Sequence, residues 1–484
     1  MSIAKNTAYI TIAFILQKIL AFVYIALIAR NIGPELIGKY FFALSFTTVF
    51  SIFIDLGLSP ILIREVAKYK EKAKKYFNNI ITLKLIFTVF TLIAIFITIN
   101  LMGYDSFTKN LVYIASIVML LDSLTLTFYA LLRSHQVLKF EALGIILYQI
   151  ITVILGGIIV FTVKSIPLLI SVLAFSSFLN AAYSFTLAKR VSGVKFRFTL
   201  DKKFIKYAML IAFPFFLAGI FNRIYTHIDI ILLSKLAGDA YVGWYGVANK
   251  FVFALQFIPS AFVASIYPAM SNYFEHSKER LGATFERAMI YLMIISVPIC
   301  FGAISLSREI IITLYGVEFV NSVLPLNLLS ISLVFVFLYF PVGSLLNASN
   351  RQKRNTANMG IAMIINVLLN VILIPKYTLA GAAVASIVSQ GVMLGLGLYY
   401  ANTVIKYNKK LLSIRLAQNI ITASLMFLIV VFLRDIISWI LILPIAGAFY
   451  AGFLFVIGGY SKEDLQSILV SVGIRNYLKT YRDN

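Results

Sequence analysis

Residues 17–40 read QKILAFVYIALIARNIGPELIGKY, and residues 222–245 read NRIYTHIDIILLSKLAGDAYVGWY. The second stretch follows the first at a fixed offset, since 223 − 18 = 205. The offset aligns Lys18 with Arg223, and it also aligns two glycines and the final tyrosine of each stretch. We therefore interpret the chain as two copies of one repeat, each with a cation inside an apolar segment.

The position of these cations is the main indication of function. A cation at bilayer depth is costly, and it usually faces the interior of a helix bundle or a water-filled cavity. Two cations at equivalent positions of a repeat predict a central cavity that attracts anions and lies between two related halves.

The composition indicates a polytopic membrane protein. Of the 484 residues, 61% are hydrophobic and 13% are charged, and the mean hydropathy is +0.94. An ordinary soluble chain is roughly 45–50% apolar and about 25% charged. The net charge of +23 would favour a nucleic-acid partner in a soluble protein. Here the basic residues are concentrated in alternate loops, so the positive-inside rule explains the charge and no nucleic-acid partner is expected. Cys300 is the single cysteine, so no intramolecular disulfide can form.

The hydrophobic pattern predicts an all-α protein with about fourteen transmembrane helices, because roughly twenty apolar residues span the hydrocarbon. The first apolar segment is too long for a cleavable signal peptide. The repeat makes the first twelve helices two six-helix lobes, and two further helices follow. The predicted spans are 7–29, 37–58, 77–101, 110–132, 140–163, 167–188, 204–233, 241–272, 281–304, 322–347, 357–374, 379–405, 414–433 and 436–458.

Loop charge predicts the orientation and the division of the chain. One set of alternate loops holds only one or two cations each, whereas the other set is strongly basic, so both termini are expected in the cytoplasm. The predicted units are an N lobe (1–200), a C lobe (201–406), two additional helices (407–460) and a cytoplasmic amphipathic tail (461–484). The basic loops contain Arg64, Lys68, Lys70, Lys72, Lys74, Lys75, Lys189, Arg190, Lys195, Arg197, Lys202, Lys203, Lys206, Arg351, Lys353, Arg354, Lys406, Lys409, Lys410 and Arg415.

The sequence contains no motif for ATP binding, for a metal site or for a cofactor, and the short loops leave no room for a catalytic domain. What remains are ionisable residues inside apolar spans. Lys18, Arg223 and Lys250 are candidates for binding an anionic head group, and a diphosphate suits the fork of Arg and the point charge of Lys. The alternative for these cations is internal ion pairing that holds the bundle together, such as Arg223 with Asp229 or Asp122. The candidates for hydrogen bonds to sugar hydroxyls, or alternatively between helices, are Gln17, Asn222, Asn249 and Gln256.

Asp122, Asp229 and His227 are candidates for ion coupling, because buried carboxylates and histidines titrate or bind cations. A structural role is the alternative for each. Asp55 and Lys84 are predicted to extend to the membrane interface. Four repeat-related glycines, Gly33, Gly38, Gly238 and Gly243, are predicted to make the turns between helices.

Several short motifs resemble those of a known family. The run Ala29-Arg30-Asn31-Ile32-Gly33-Pro34-Glu35 with Gly38-Lys39-Tyr40 resembles the first-hairpin signature of prokaryotic polysaccharide transporters. Asp55-Leu56-Gly57-Leu58-Ser59 with Arg64-Glu65 is similar to the end of their second helix, and the run from Asp229 to Leu232 with Gly243-Trp244-Tyr245 is similar to their second half. The resemblance is to the lipid-linked oligosaccharide flippases of the multidrug/oligosaccharidyl-lipid/polysaccharide exporter superfamily, and it covers essentially the whole chain.

The resemblance implies two lobes with a cationic cavity between them, and Lys18 and Lys250 lie on the helices that carry basic residues in related flippases. It implies alternating-access transport of a polyprenyl-diphosphate-linked glycan across a prokaryotic plasma membrane, with H⁺ or Na⁺ as a possible coupling ion. The alternatives are a cation-coupled multidrug antiporter of the same superfamily, a membrane glycan polymerase or ligase, and a non-transporting scaffold. An acidic cavity would favour the antiporter, and a large outer loop would favour the polymerase or ligase.

Overall fold

The computed structural model describes the backbone of residues 3–460 and the side chains from residue 9 onward. The predicted amphipathic tail therefore lies outside the described residues. Two 3₁₀ turns, Lys70–Lys72 and Val317–Ser322, lie between α-helices. The helices are α1 (Ile3–Ile32), α2 (Pro34–Asp55), α3 (Leu58–Lys68), α4 (Ala73–Leu101), α5 (Ser106–Ser134), α6 (Leu138–Thr162), α7 (Ile166–Ser192), α8 (Lys202–Leu236), α9 (Asp239–Leu255), α10 (Phe257–His276), α11 (Lys278–Ser305), α12 (Ser307–Tyr315), α13 (Val323–Ala348), α14 (Gln352–Asn402), α15 (Lys409–Leu433) and α16 (Trp439–Val456).

The all-α membrane fold is confirmed. Thirteen helical segments of the described chain are long and apolar enough to cross a membrane. The longest, Gln352–Asn402, holds two crossings, because helical geometry breaks at Thr378 (φ 44°, ψ −114°). Gly381 there packs against the carbonyl of Leu373, which places two segments of the same helix side by side. The described residues thus make fourteen crossings.

Two helix boundaries differ from the predicted pattern. The span predicted at 241–272 is divided at Gln256 into α9 and α10. The second crossing ends at Asp55, because Leu56 and Gly57 adopt positive φ angles of 44° and 77°. The short amphipathic helix α3 follows and buries its apolar face, whereas hydropathy alone shows only one apolar run here.

Polar side chains cap the N-termini of several helices. The Asp105 side chain accepts a hydrogen bond from the backbone N–H of Thr108 at the start of α5, and Asp201 caps α8 in the same way. Such caps satisfy backbone donors that have no partner inside the helix. Capping at these residues defines where α5 and α8 begin.

The helices pack in two groups, with α2 in contact with both. Close packing joins α1, α5, α6 and α7 in the first group and α8, α11, α13 and α14 in the second. Between the groups, α2 packs along α8 and α9. We use "glycine end" for the end of the bundle that carries Gly33 and Gly238, and "basic end" for the opposite end, which carries the basic loops.

A reciprocal contact between two glycines closes the glycine end. A Cβ atom at Gly38 would lie 1.8 Å from the carbonyl oxygen of Asp239, and one at Gly243 would lie 1.9 Å from that of Pro34. Both pairs of residues are related by the 205-residue offset, since 239 − 34 = 205 and 243 − 38 = 205. The prediction that all four glycines make turns was wrong for Gly38 and Gly243. These two lie inside α2 and α9, where only glycine allows such close approach of two helices.

Ionic contacts reinforce this closure. The Nζ atom of Lys39 lies 2.9 Å from a carboxylate oxygen of Asp105 and 3.6 Å from one of Asp239. Partial burial opposes ionisation of Asp105, but hydrogen bonds from Thr108 and Lys39 outweigh it and hold the pKa of this carboxyl at about 2. Asp105 therefore stays charged at neutral pH, and Lys39 bridges the two lobes.

Candidate functional site

A central cavity of about 900 Å³ lies between the two groups of helices. It extends to the basic end, because its walls include Arg133 and Asn347, each one residue from the end of its helix. Its wall from α8 and α9 includes Asn222, Arg223 and Asn249. The helices that pair at the glycine end thus diverge around a space that has polar groups in its wall and opens towards the basic end.

Two smaller cavities adjoin the central one. A cavity of about 510 Å³, which we name the N-lobe cavity, shares Arg223 and His227 with the central cavity. A cavity of about 310 Å³ contains Gln17 and Lys18 and shares Lys250 with the N-lobe cavity. The predicted cations Lys18 and Arg223 therefore line different cavities, and Lys250 links the two.

Arg223, Lys250 and Lys18 form a row of cations without acidic partners. Within residues 9–460, none of the three lies within salt-bridge distance of a carboxylate. Nη1 of Arg223 donates a hydrogen bond to the carbonyl of Thr48 at 3.3 Å. The ammonium of Lys18 lies 5.3 Å from the ring centre of Phe253, and that of Lys250 lies 5.8 Å from the ring centre of Phe41. Such cation–π contacts stabilise a cation modestly and leave its hydrogen-bond donors available to a ligand.

The alternative of an ion pair between Arg223 and a carboxylate is not what the structure shows. Asp122 accepts a hydrogen bond of 2.7 Å from the hydroxyl of Ser177. Asp229 accepts hydrogen bonds from Tyr245, Asn370 and Ser386. Neither carboxylate forms a salt bridge with any of the three cations.

Asp229 lies at the centre of a buried polar cluster between α8, α9 and α14. Its carboxylate accepts hydrogen bonds from Tyr245 at 2.8 Å, from Ser386 at 2.8 Å and from the Asn370 amide at 2.7 Å. The Oδ1 atom of Asn370 is buried and has no hydrogen-bond partner among the described residues. The N lobe has no equivalent carboxylate, because the residue 205 positions earlier is Tyr24. This collection of oxygen atoms is therefore a feature of one lobe alone.

His227 connects the two lobes inside the membrane. Its Nδ1 atom lies 3.2 Å from the hydroxyl oxygen of Ser45 on α2. His227 and Arg223 are four residues apart on α8, so both face α2. The contacts of Arg223 and His227 with α2 lie between the two lobes, and both residues line the central cavity.

The prediction that Asp55 and Lys84 extend to the interface was wrong. The Lys84 side chain is completely buried, and its Nζ atom lies 2.5 Å from the Asp55 carboxylate. Lys84 also donates hydrogen bonds to the hydroxyls of Ser59 at 2.9 Å and Thr127 at 2.7 Å. This network connects the break between α2 and α3 to α4 and α5. Lys84 is therefore a paired cation that holds helices together, in contrast to Arg223 and Lys250.

Sequence reasoning missed some residues of these cavities and of the Asp229 cluster. Arg133 lines the central cavity while it forms a charged pair with the buried Glu141. Hydropathy had placed Arg133 in a loop. Asn366 and Asn370 were also missed, although two asparagines four residues apart in an apolar helix are a signal of a polar face. The hydroxyl residues of α2 gave no such signal, because Ser and Thr are common in membrane helices.

Fourteen crossings around a cavity with unpaired cations define a multi-pass membrane transporter. Comparison with known families agrees with this class. Residues 3–274, more than half of the chain, match the family described as polysaccharide biosynthesis protein, and the chain belongs to that family. Residues 214–372 also match the MatE family.

Individual relatives and a solved structure are similar over most of the chain. The capsular polysaccharide biosynthesis protein CapF of Staphylococcus aureus is 24% identical over 405 residues, which cover 82% of this chain and 98% of CapF. A probable low-salt glycan biosynthesis flippase of Haloferax volcanii, Agl15, is 25% identical and covers 83% of this chain and 84% of its own length. The lipid II flippase MurJ in an inward closed conformation has the same fold, with a TM-score of 0.77 and 18% identity over 93% of this chain and 98% of MurJ.

Proposed function

We propose that this protein is a flippase for a polyprenyl-diphosphate-linked oligosaccharide or polysaccharide repeat unit. It moves this substrate from the cytoplasmic to the outer leaflet of a prokaryotic plasma membrane by alternating access. The observation that carries the proposal is the row of unpaired cations, Arg223, Lys250 and Lys18, along connected cavities. The family membership and the flippases among its relatives support it.

The chemistry of the substrate explains the arrangement. Sugars and phosphates cannot cross hydrocarbon without polar partners. In our proposal the cations neutralise the diphosphate, and Gln17, Asn222 and Asn249 donate or accept hydrogen bonds from the glycan. The polyprenyl tail stays in the membrane lipid beside the lobes.

We assign the basic end to the cytoplasm on the positive-inside rule. Both termini then lie in the cytoplasm. The closed contact of Gly38 and Gly243 seals the outer side in this conformation, while the central cavity extends towards the cytoplasmic side. The conformation is thus suited to loading substrate from the cytoplasmic leaflet.

We further propose that a cation, Na⁺ or H⁺, drives the cycle through Asp229. Carboxylate, hydroxyl and amide oxygens are the ligands that hard cations prefer. The Asp229 cluster offers these, including the unpartnered Oδ1 of Asn370. His227 is the alternative site for a proton, because its contact with Ser45 joins the two lobes. Asp122 is the third candidate, and it lines the N-lobe cavity together with Arg223 and Lys250.

A cation-coupled multidrug antiporter is the second candidate, and the match of residues 214–372 to the MatE family favours it. Such a carrier would bind organic cations. Three unpaired cations along the cavities would repel them, which favours the flippase.

The test is complementation of a strain that lacks its own glycan flippase, combined with thermal unfolding of the purified variants in detergent. Lys18→Ala, Arg223→Ala and Lys250→Ala should each abolish or strongly reduce complementation and leave the unfolding temperature near that of the wild type. Arg223→Lys should retain part of the activity, since it keeps the charge and loses the fork. Lys410→Ala, at an exposed site on the basic end, is the matched control. Normal complementation by all three alanine variants, or resistance to organic cations in place of complementation, would contradict the proposal.

A further inference from the structure

The N-lobe cavity contains a carboxylate that an anion-binding site does not need. Asp122 lines this cavity together with Arg223 and Lys250. One carboxylate oxygen of Asp122 accepts the hydrogen bond from Ser177, and the other has no partner among residues 9–460. A carboxylate has about four positions for accepting hydrogen bonds, so most of those on Asp122 remain free.

The α2 wall of the same cavity also presents acceptors. The hydroxyl of Thr48 donates to the carbonyl of Leu44 at 2.6 Å, and the hydroxyl of Ser51 donates to the carbonyl of Thr48 at 2.6 Å. Thr47 likewise donates to its own helix, at 2.9 Å. Because these hydroxyl protons are already used, the oxygens face a ligand as acceptors.

The cavity therefore presents two chemically different sets of groups. Arg223 and Lys250 supply donors and positive charge, whereas Asp122, Thr48 and Ser51 supply acceptors. The aromatic residues Tyr40 and Tyr148 also line the cavity. Donors and positive charge suit a phosphate, and acceptors beside an aromatic ring suit the hydroxyls and the apolar face of a sugar. The volume of about 510 Å³ is typical of sites for small ligands.

We propose that the N-lobe cavity binds the first sugar of the glycan, the one bonded to the diphosphate, and that Asp122 accepts hydrogen bonds from two adjacent hydroxyls of that sugar. This inference rests on the proposed flippase function and extends it to substrate selection. The first sugar is directly bonded to the diphosphate, so a site that holds the diphosphate at Arg223 and Lys250 must hold this sugar next to it. Sugars further along the chain can extend into the larger central cavity.

A coupling cation at Asp122 is the competing account. Arg223 and Lys250 line the same cavity without acidic partners, and their charge disfavours a further cation there. The Asp229 cluster provides another site, whose donors and acceptors around the carboxylate are neutral. A neutral sugar at Asp122 meets no such repulsion.

The test uses proteoliposomes and synthetic prenyl-diphosphate glycans that differ only in the first sugar. One substrate carries free adjacent hydroxyls, and its partner is the deoxy analogue that lacks one of them. A hydrogen bond to a charged group discriminates strongly, so the wild type should flip the hydroxylated substrate at least about tenfold faster. Asp122→Ala and Asp122→Asn should reduce this ratio towards one, because they slow flipping of the hydroxylated substrate more than that of the deoxy substrate, and flipping of both substrates should still respond to the ion gradient. Asp435→Asn, at an exposed loop carboxylate, should keep the wild-type ratio.

Ser177→Ala provides a second variant, which retains Asp122 and removes the hydrogen bond that orients it. It should lower the ratio partially, and Asp122→Glu should restore part of it relative to Asp122→Ala. If the wild type flips both substrates and Asp122→Ala keeps the full ratio, the sugar site is refuted while the flippase function stands. If Asp122→Asn loses flipping of both substrates together with the response to the gradient, Asp122 is a coupling residue and the inference is also refuted. If the wild type flips neither substrate, the proposed function itself fails.

Discussion

The energetic cost of adding a methyl group at the reciprocal glycine contact can be worked out from the structure. In Gly243→Ala, the new Cβ atom would lie 1.9 Å from the carbonyl oxygen of Pro34. A close contact between carbon and oxygen needs about 3.3 Å, so α2 and α9 must separate by roughly 1.4 Å. Overpacking of this kind costs about 1–3 kcal/mol, and here it acts only on the conformation in which the two helices touch.

The equilibrium should therefore shift towards opening of the glycine end. A bias of about 1–3 kcal/mol corresponds to a change of roughly 5–150-fold in the population ratio of the two states. Gly38→Ala should act similarly, since its Cβ atom would lie 1.8 Å from the carbonyl oxygen of Asp239. The double variant should give less than the sum of both effects, because one separation of the helices relieves both contacts.

The assay measures how fast a cysteine inside the N-lobe cavity is labelled from outside intact cells. The reporter is Ser45→Cys in a Cys300→Ala background, with an impermeant thiol reagent. Gly243→Ala should raise the labelling rate by at least about fivefold. Gly395→Ala is the matched control, because a Cβ atom at Gly395 meets no atom within 4 Å. Cysteines at Lys376 and Lys72 calibrate the sidedness, and only the first should react from outside. Labelling of Gly243→Ala at the wild-type rate would refute the account of the glycine contact as a closure.

Two further predictions concern the buried charges. Lys84→Ala should lower the free energy of unfolding by about 3–5 kcal/mol, because it leaves Asp55 buried without its partner; the double variant Asp55→Asn with Lys84→Met should recover most of this loss in detergent unfolding, and an unchanged stability of Lys84→Ala would contradict the network. In proteoliposomes without ATP, an imposed Na⁺ or H⁺ gradient should accelerate flipping by the wild type and not by Asp229→Asn, which keeps the size and most hydrogen bonds of Asp229 and removes its charge; a gradient response that survives in Asp229→Asn would move the coupling ion elsewhere.

The helix count could be predicted from the sequence because two independent patterns agree. Hydropathy gives the apolar spans, and the alternation of basic loops checks their number, since one missed helix would invert every later loop. The break at Leu56 and Gly57 could not be predicted, because a helix that turns inside an apolar run changes neither pattern. The Gly38–Gly243 contact needs the relative position of two helices, although the 205-residue repeat had already aligned the two glycines.

The candidate site was only partly predictable, for a related reason. Hydropathy finds a charge inside a span, but it cannot tell whether that charge has a partner on another helix. Lys84 and Lys250 look alike in the sequence, yet the first is bonded to Asp55 and the second lines two cavities. Asp122 and Asp229 also look alike in the sequence, yet Asp122 lines the N-lobe cavity and Asp229 is held in a buried hydrogen-bonded cluster. The sequence cannot show this difference, because their neighbours come from helices that are distant along the chain.

The contact at the glycine end has the symmetry of a dimer interface. Pro34 and Gly38 on one helix meet Asp239 and Gly243 on the other, and the 205-residue offset exchanges the two sets. Such an isologous surface is self-complementary, as between identical subunits related by a twofold axis. A chain of one repeat would carry both halves of this interface, so two separate copies could form the same closed end. When both repeats are part of one chain, the residues of each half can differ. Lys39 and Trp244, for example, are different residues at equivalent positions of the two repeats.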